Sequence, residues 1–236
     1  MAITYRTDHV TTADGDFDLH VWLPESGRGP GIVLLQEIFG VGTYIKQRAE
    51  ELAALGYVVA APDVFWRLQR NWESEHTPEG LQSSFGLASK FDFPQGVQDC
   101  LLALAQVQAM PETGDRVAAM GYCLGGTLAY FLAALGRPTC AVSYYGSGVA
   151  GQLELAGQVT CPIIFHFGGS DAYIPNEQAE AIAQAFAERD DAEVFVQATA
   201  GHAFDNFDAP MFWNADASKA AWDITAGFLA RQLPVG

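Results

Sequence analysis

Apolar positions along this chain fall into short continuous runs, separated by longer stretches of mixed composition. "FDLHVWLP" (17–24) alternates apolar and polar residues and stops at a proline, the pattern of a half-buried antiparallel strand. "GPGIVLLQEIFG" (29–40) and "VVAAPDVF" (58–65) are apolar runs bounded by turn residues, as strands buried on both faces require. Between them, "KQRAEELAALGY" (46–57) has helical composition and closes at Gly56, in a C′ position. The same rhythm predicts a helix over 93–110, a strand over 116–122, a helix over 124–136 and strands over 140–146 and 161–171. A helix over 176–189, a strand over 192–202 and a closing helix over 217–233 complete it. From Trp66 to about Ser84 the periodicity is weak and Glu, Gln and Ser are abundant. The segment 66–92 is therefore expected as an insertion over a functional site, where loops and lids gather.

Strands alternating with helices imply crossover connections, and hence an α/β fold with a mostly parallel central sheet and helices on both faces. No repeat, low-complexity tract or long linker divides the pattern, so residues 1–236 read as one domain.

Composition narrows the partners. Half of the 236 residues are apolar, enough for a substantial core. A net charge of −16, with only 12 Lys and Arg, argues against nucleic acid and against anionic membrane surfaces. The opening "MAITYRTDHVTTADGDFDLH" lacks a basic head followed by an apolar run, and no stretch approaches the roughly 18 apolar residues of a membrane span. The expectation is a cytoplasmic protein acting on a small molecule, its oligomeric state unspecified. Cys100, Cys123, Cys140 and Cys161 show no CxxC spacing, which reads as reduced thiols with neither a disulfide framework nor a metal site. Cys100, Cys140 and Cys161 lie among Leu, Ala, Val and Ile and are expected in the core.

Cys123 is different. It sits in "MGYCLGGT" (120–127), where a strand runs straight into a helix with glycines on both sides. Such a turn lifts a side chain above the sheet, and a helix N-terminus favours a thiolate. In parallel sheets chemistry gathers at the carboxyl ends of strands, and two further candidates fall there: Asp171 after "IIFHFGGS" and His202 after "VFVQATAG". The order nucleophile, acid, histidine is that of an α/β-hydrolase triad. His202 would share the thiol proton, Asp171 would orient the imidazole, and the N–H of Leu124 would face a developing oxyanion.

These residues resemble the dienelactone hydrolase (carboxymethylenebutenolidase) family. The matching pieces are "QEIFG" (36–40), "APDVF" (61–65), "GYCLGG" (121–126), "YYG" (144–146), "FHFGGSDAYIP" (165–175) and "AGHAF" (200–204). The resemblance implies an α/β-hydrolase fold, with Cys123, Asp171 and His202 as the triad. It also implies Glu37 as a glutamate that holds the resting thiol and gives way to substrate, and the N–H of Ile38 as a second oxyanion donor. Neither metal nor organic cofactor is implied.

Two departures bear on the substrate. Family members that hydrolyse dienelactone carry two arginines for the substrate carboxylate. One lies four residues after the histidine, where this chain has Asn206; the other aligns without gaps to Leu81, and no arginine occurs between Arg70 and Arg116. Arg67, Arg70 and Lys90 are the basic residues that could substitute. Tyr144, Tyr145, Phe39, Phe204 and Asn206 are expected to contact substrate, with Trp66 and Phe85 as further candidate walls. Asp205 and Asp208 would make the region after His202 unfavourable to anions. The reading is a lactone or ester hydrolase working through a thioester acyl-enzyme. The alternatives are a hydrolase of a different small neutral ester or thioester, or a non-catalytic thiol redox or ligand-binding protein, which an activated ester would acylate once without turnover.

Overall fold

The polar opening of the chain folds as a hairpin, with β1 (Thr4–Thr12) antiparallel to β2 (Gly15–Leu23) and Thr4 opposite Leu23. The computed structural model describes residues 3–236; Met1 and Ala2, the first residues of the segment read above for a leader, lie outside them. β1 is a sheet edge and buries only Val10, so the apolar pattern gave no sign of it. β2 turns Phe17, Leu19 and Val21 into the core, the alternation expected of a strand with one buried face.

The apolar runs form the interior of the sheet. β3 (Gly31–Leu35), β4 (Val58–Pro62), β5 (Val117–Tyr122), β6 (Ala141–Tyr144) and β7 (Ile163–Gly168) are buried at every position. With β8 (Ala192–Gln197) they complete an eight-stranded sheet of order β1-β2-β4-β3-β5-β6-β7-β8. β4 pairs antiparallel with β2, and every pairing from β4 to β8 is parallel. The expected α/β class with a mostly parallel sheet is the one observed. Because the parallel strands share a direction, the chain leaves β3, β5, β7 and β8 on the same edge of the sheet, where Glu37, Cys123, Asp171 and His202 follow them.

Among the described residues six α-helices connect and flank the strands: α1 (Thr43–Ala54), α2 (Pro78–Ala88), α3 (Phe93–Ala109), α4 (Leu124–Leu135), α5 (Asn176–Ala185) and α6 (Ala215–Gln232). α3 is held at its start by Asp92, whose carboxylate accepts from the Gln95 N–H at 3.1 Å, and it buries Val97, Cys100, Ala103, Leu104 and Val107 along one stripe. A kinked 3-10 segment, Val149–Gln158, follows β6.

α2 lies inside the stretch with weak periodicity. Of its eleven residues only Ser84 is buried, so no apolar stripe announces it. Its start follows capping chemistry instead. The Thr77 hydroxyl accepts from the Gly80 N–H at 3.1 Å, and Pro78 takes the first helical position. Cys100, Cys140 and Cys161 are buried free thiols. No helix among the described residues is long and apolar enough to cross a membrane.

Candidate active site

Cys123 stands between β5 and α4 with φ +54 and ψ −114, a left-handed backbone that costs a side-chain-bearing residue about 1–3 kcal/mol. The neighbouring glycines make this turn possible by their lack of bulk. A Cβ on Gly121 would meet the Gly125 carbonyl oxygen at 2.1 Å, one on Gly125 the Leu35 oxygen at 2.1 Å, and one on Gly126 the Tyr144 oxygen at 2.3 Å. α4 therefore starts in direct contact with the ends of β3, β5 and β6. Two more residues at the site have positive φ, Tyr145 at +37 and Ala203 at +53.

The thiol meets an imidazole. His202 Nε2 lies 3.2 Å from Cys123 Sγ, and His202 Nδ1 lies 2.8 Å from Asp171 Oδ2. The other Asp171 oxygen accepts from the N–H groups of Tyr173 (2.7 Å) and Ile174 (3.1 Å), which fixes the carboxylate. Burial alone would lower the His202 pKa. The facing Cys123 sulfur, together with the Asp171 carboxylate, outweighs burial and carries it to about 10. Such a group holds a proton next to a sulfur and can return it to a leaving group. Neither the Ile38 nor the Leu124 N–H has a hydrogen-bond acceptor among the described residues; both residues line the space above the thiol.

That space is a cavity of about 340 Å³, walled largely by apolar groups: Ile38, Phe39, Phe93, Leu124 and Phe212 from the body, and Leu81, Phe85 and Ala88 from α2. The weakly patterned segment thus covers the site with one helix. Phe85 and Tyr173 face each other with ring centroids 6.3 Å apart, both about half exposed. The wall contains Glu37, Cys123, Tyr173 and His202 as ionisable groups and no lysine or arginine. Leu81, which the resemblance sets against a second arginine, is among the lining residues.

Glu37 is buried in this wall. Its Oε2 accepts from Asn206 Nδ2 at 2.7 Å, while Oε1 has no hydrogen-bond partner. Burial pushes its pKa up to about 7, against the opposing effects of Asn206 and His202. No hydrogen bond joins Glu37 to Cys123, whose sulfur is turned to His202. The expected resting pair between them is not the arrangement here.

Several sequence-based expectations of substrate contact need correction. Of the five named residues, Phe39 lines the cavity and the other four do not. Tyr144 is fully buried with its hydroxyl 2.7 Å from that of Thr225. Tyr145 and Phe204 pack on each other in the core, ring centroids 5.4 Å apart. Asn206 is fully buried and spends its amide on Glu37. Trp66 points inward to Asp99 (2.8 Å), whereas Phe85 does reach the cavity. Arg67 forks onto Asp99 at 2.9 and 3.0 Å, and Arg70 lies over the Trp66 ring. Neither they nor Lys90 lines the cavity.

His76, just before α2, carries no signal in the sequence. Its side chain is buried, with Nδ1 3.0 Å from Asp208 Oδ2 and Nε2 3.0 Å from Asn206 Nδ2. No motif marks it; its burial arises because the segment leading into α2 folds against Phe39, whose ring centroid is 4.2 Å away. Tyr173, Phe93 and Phe212 were likewise unmarked, being ordinary aromatics in sequence.

Comparison with known proteins agrees with this architecture. Carboxymethylenebutenolidase from Pseudomonas sp. (strain P51) is 35% identical, covering 94% of this chain and 93% of its own. Carboxymethylenebutenolidase 1 from Cupriavidus pinatubonensis is 31% identical over 87% and 88% of the two chains. Among solved structures, a dienelactone hydrolase-like promiscuous phosphotriesterase from metagenomic libraries superposes with a TM-score of 0.81 at 24% identity, with 100% of both chains covered. Native Thermogutta terrifontis esterase 2 does so at 0.71 and 16% identity, over 98% and 94%; both likenesses speak to the fold. Residues 17–233 match the dienelactone hydrolase family model, and the chain belongs to that family of α/β-hydrolases.

Proposed function

We propose that the protein hydrolyses small lactones or esters through Cys123 and a thioester acyl-enzyme. The observation that carries this reading is the continuous chain Asp171–His202–Cys123, at 2.8 and 3.2 Å, opening into an apolar cavity. The Cys123 thiolate attacks the carbonyl carbon, and the N–H groups of Ile38 and Leu124 hold the oxyanion. Collapse breaks the ester C–O bond, and the leaving alkoxide takes the proton from His202. Water then attacks the thioester carbonyl, His202 accepts its proton, and the thiolate is expelled as the acid departs.

The finer proposal concerns the substrate's charge. The relatives' name denotes a lactone carrying a carboxyl group, yet the cavity wall here offers no lysine or arginine to such a group. An anion entering an apolar wall beside Glu37 would lose hydration without a partner. This favours uncharged lactones and esters.

Rapid acid quench during turnover of p-nitrophenyl acetate, followed by mass spectrometry, tests the mechanism: an acetyl group should be found on the peptide carrying Cys123. Continuous turnover without acylated cysteine would sink it, and a single acylation without turnover would favour the sensor-thiol alternative. The kcat/KM for a dienelactone acid against its methyl ester tests the substrate class.

A further inference from the structure

A hydrogen-bonded row leads from the surface to the cavity wall, and no step of the hydrolysis uses it. It runs Asp208–His76–Asn206–Glu37, at 3.0, 3.0 and 2.7 Å. The direction of each bond can be read from its ends. The Asp208 N–H donates to Asn206 Oδ1 at 3.0 Å, so the amide nitrogen of Asn206 is the atom facing both Glu37 and His76. One N–H of that nitrogen goes to Glu37 Oε2, and the other goes to His76 Nε2, which must therefore be an acceptor. The ring proton then sits on Nδ1 and is donated to Asp208.

We propose that His76 is a positioning residue: by accepting from Asn206, it holds that amide with its donors toward Glu37 and so keeps Glu37 a carboxylate at the cavity wall. A second proton on His76 would reverse the row. Nε2 would become a donor, Asn206 would have to present Oδ1, and Glu37 would then face a carbonyl oxygen. Only a protonated Glu37 can donate to that oxygen, so the two groups gain protons together. Burial lowers the His76 pKa, with Asp208 opposing, which keeps the accepting form in place near neutral pH.

Other charges facing the row are few. Around His76 lie Glu73 and Glu75 of its own segment, Asp208 of the loop after His202, and Glu37 at 3.9 Å; Lys46 of α1 pairs with Glu73. Around Glu37 lie His202, Asp205 and the Tyr145 hydroxyl. Asp205 is already engaged by Arg48, so among these residues only the row joins Glu37 to the surface.

The effect on turnover rests on the role proposed for the cavity at Cys123; the effect on Glu37's charge does not. The test is a 13C NMR titration of side-chain carboxyls in the wild type, His76→Ala and His76→Gln, with Glu37→Gln identifying the resonance. In His76→Ala the Glu37 midpoint should rise by about one unit, a tenfold gain in proton affinity. In His76→Gln, whose amide can accept from Asn206 and donate to Asp208, the midpoint should stay near the wild-type value and the curve should relax from a steep to a one-proton shape. That second comparison carries the test alone if His76→Ala does not fold. Equal midpoints in the wild type and His76→Ala, or equally steep curves in the wild type and His76→Gln, overturn the proposal. The acid limb of kcat/KM for p-nitrophenyl acetate should follow the Glu37 midpoint. A midpoint that moves while the acid limb stays would leave the row standing and remove Glu37 from turnover.

Discussion

Arg48 grips Asp205 with two parallel donors, Nε at 3.1 Å from Oδ2 and Nη2 at 3.0 Å from Oδ1, in a part of the core closed to solvent. Tyr44 and Ser218 complete the carboxylate's partners at 2.6 and 2.7 Å, and Trp222 packs under the guanidinium. Asp205 lies three residues beyond His202, so this fork ties the histidine's loop to α1 and α6. It also balances much of the negative charge expected near the cavity from the sequence, although Asp205 is still felt at Glu37. Asp205→Ala should destabilise the fold by about 3 kcal/mol, because it breaks the fork and leaves the buried guanidinium with Glu51 as its one charged partner. A melting temperature within a degree or two of wild type would contradict this.

Cys123→Ala should abolish turnover while the protein still folds, because the thiol faces a cavity and Ala keeps the same backbone conformation; the melt should drop only by what the sulfur contributes to the charged His202. Cys123→Ser should also be poor, since a hydroxyl gives up its proton far less readily than a thiol. Near-normal kcat in Cys123→Ala would remove the nucleophile.

His202 should titrate far above an ordinary histidine. Its folded-state value is raised from 6.5 to about 10, so the charged imidazole contributes stability that is fully present below about pH 6.5 and is lost as pH rises through 10. Much of that shift comes from the facing sulfur. In Cys123→Ala the His202 midpoint, followed by imidazole proton NMR, should fall by more than a unit. Asp171→Asn should lower it too, and should cut kcat less than His202→Ala. An unchanged midpoint in Cys123→Ala would mean that the sulfur and the ring are not a charged pair.

Glu37 acts on stability in the same sense, at lower pH. Its folded value is raised from 4.5 to about 7, so the native state holds the proton more tightly. The stability associated with the protonated form is fully present below about pH 4.5 and is lost as pH climbs through 7. The shift corresponds to roughly 3 kcal/mol. Glu37→Gln should therefore flatten this decline, gaining about 2 kcal/mol over wild type at pH 8 and little at pH 4.5 in urea unfolding. Parallel stability curves across that range would rule this out.

Placing a cation in the cavity wall should change the substrate preference. Asn206 is no place for it, being buried and bonded to Glu37. Leu81 on α2 lines the cavity. Leu81→Arg should raise kcat/KM for a carboxylate-bearing lactone relative to its methyl ester by about tenfold, the value of one partly solvated charge-assisted hydrogen bond at 1.4 kcal/mol per factor of ten. An unchanged ratio would show that the acid does not reach α2.

The parts of this protein legible in sequence are those whose residues are buried on both sides. Ile32 to Leu35 and Val117 to Tyr122 are apolar because helices cover both faces, and no other reading fits so short a run. Cys123, Asp171 and His202 stood out because strand ends align in a parallel sheet. β1 did not, because an edge strand with one buried residue carries no alternation. α2 did not, because it covers a cavity: its apolar side chains divide between the open space and a small cluster at Ile38, Phe39 and Phe65, which leaves no continuous buried stripe. Tyr144, Tyr145, Phe204 and Asn206 all turn into the core behind the site, and the positive φ values of Tyr145 and Ala203 that steer the chain there are not revealed by sequence spacing. His76 and Asn206 meet across 130 positions, a contact that depends on the completed fold.

The cavity wall without lysine or arginine has a further effect on the reaction's end. On the proposed reaction, hydrolysis would turn an uncharged acyl group into a carboxylate at the bottom of an apolar space with Glu37 beside it. The new anion would be repelled by Glu37 and would find no fixed lysine or arginine in the wall; its one cationic neighbour, His202, is already engaged by Cys123 and Asp171, so hydration would be regained on leaving. Chemistry and ejection would thereby be joined. Accumulating acid should inhibit such an enzyme weakly, and re-esterification from the acid should be negligible.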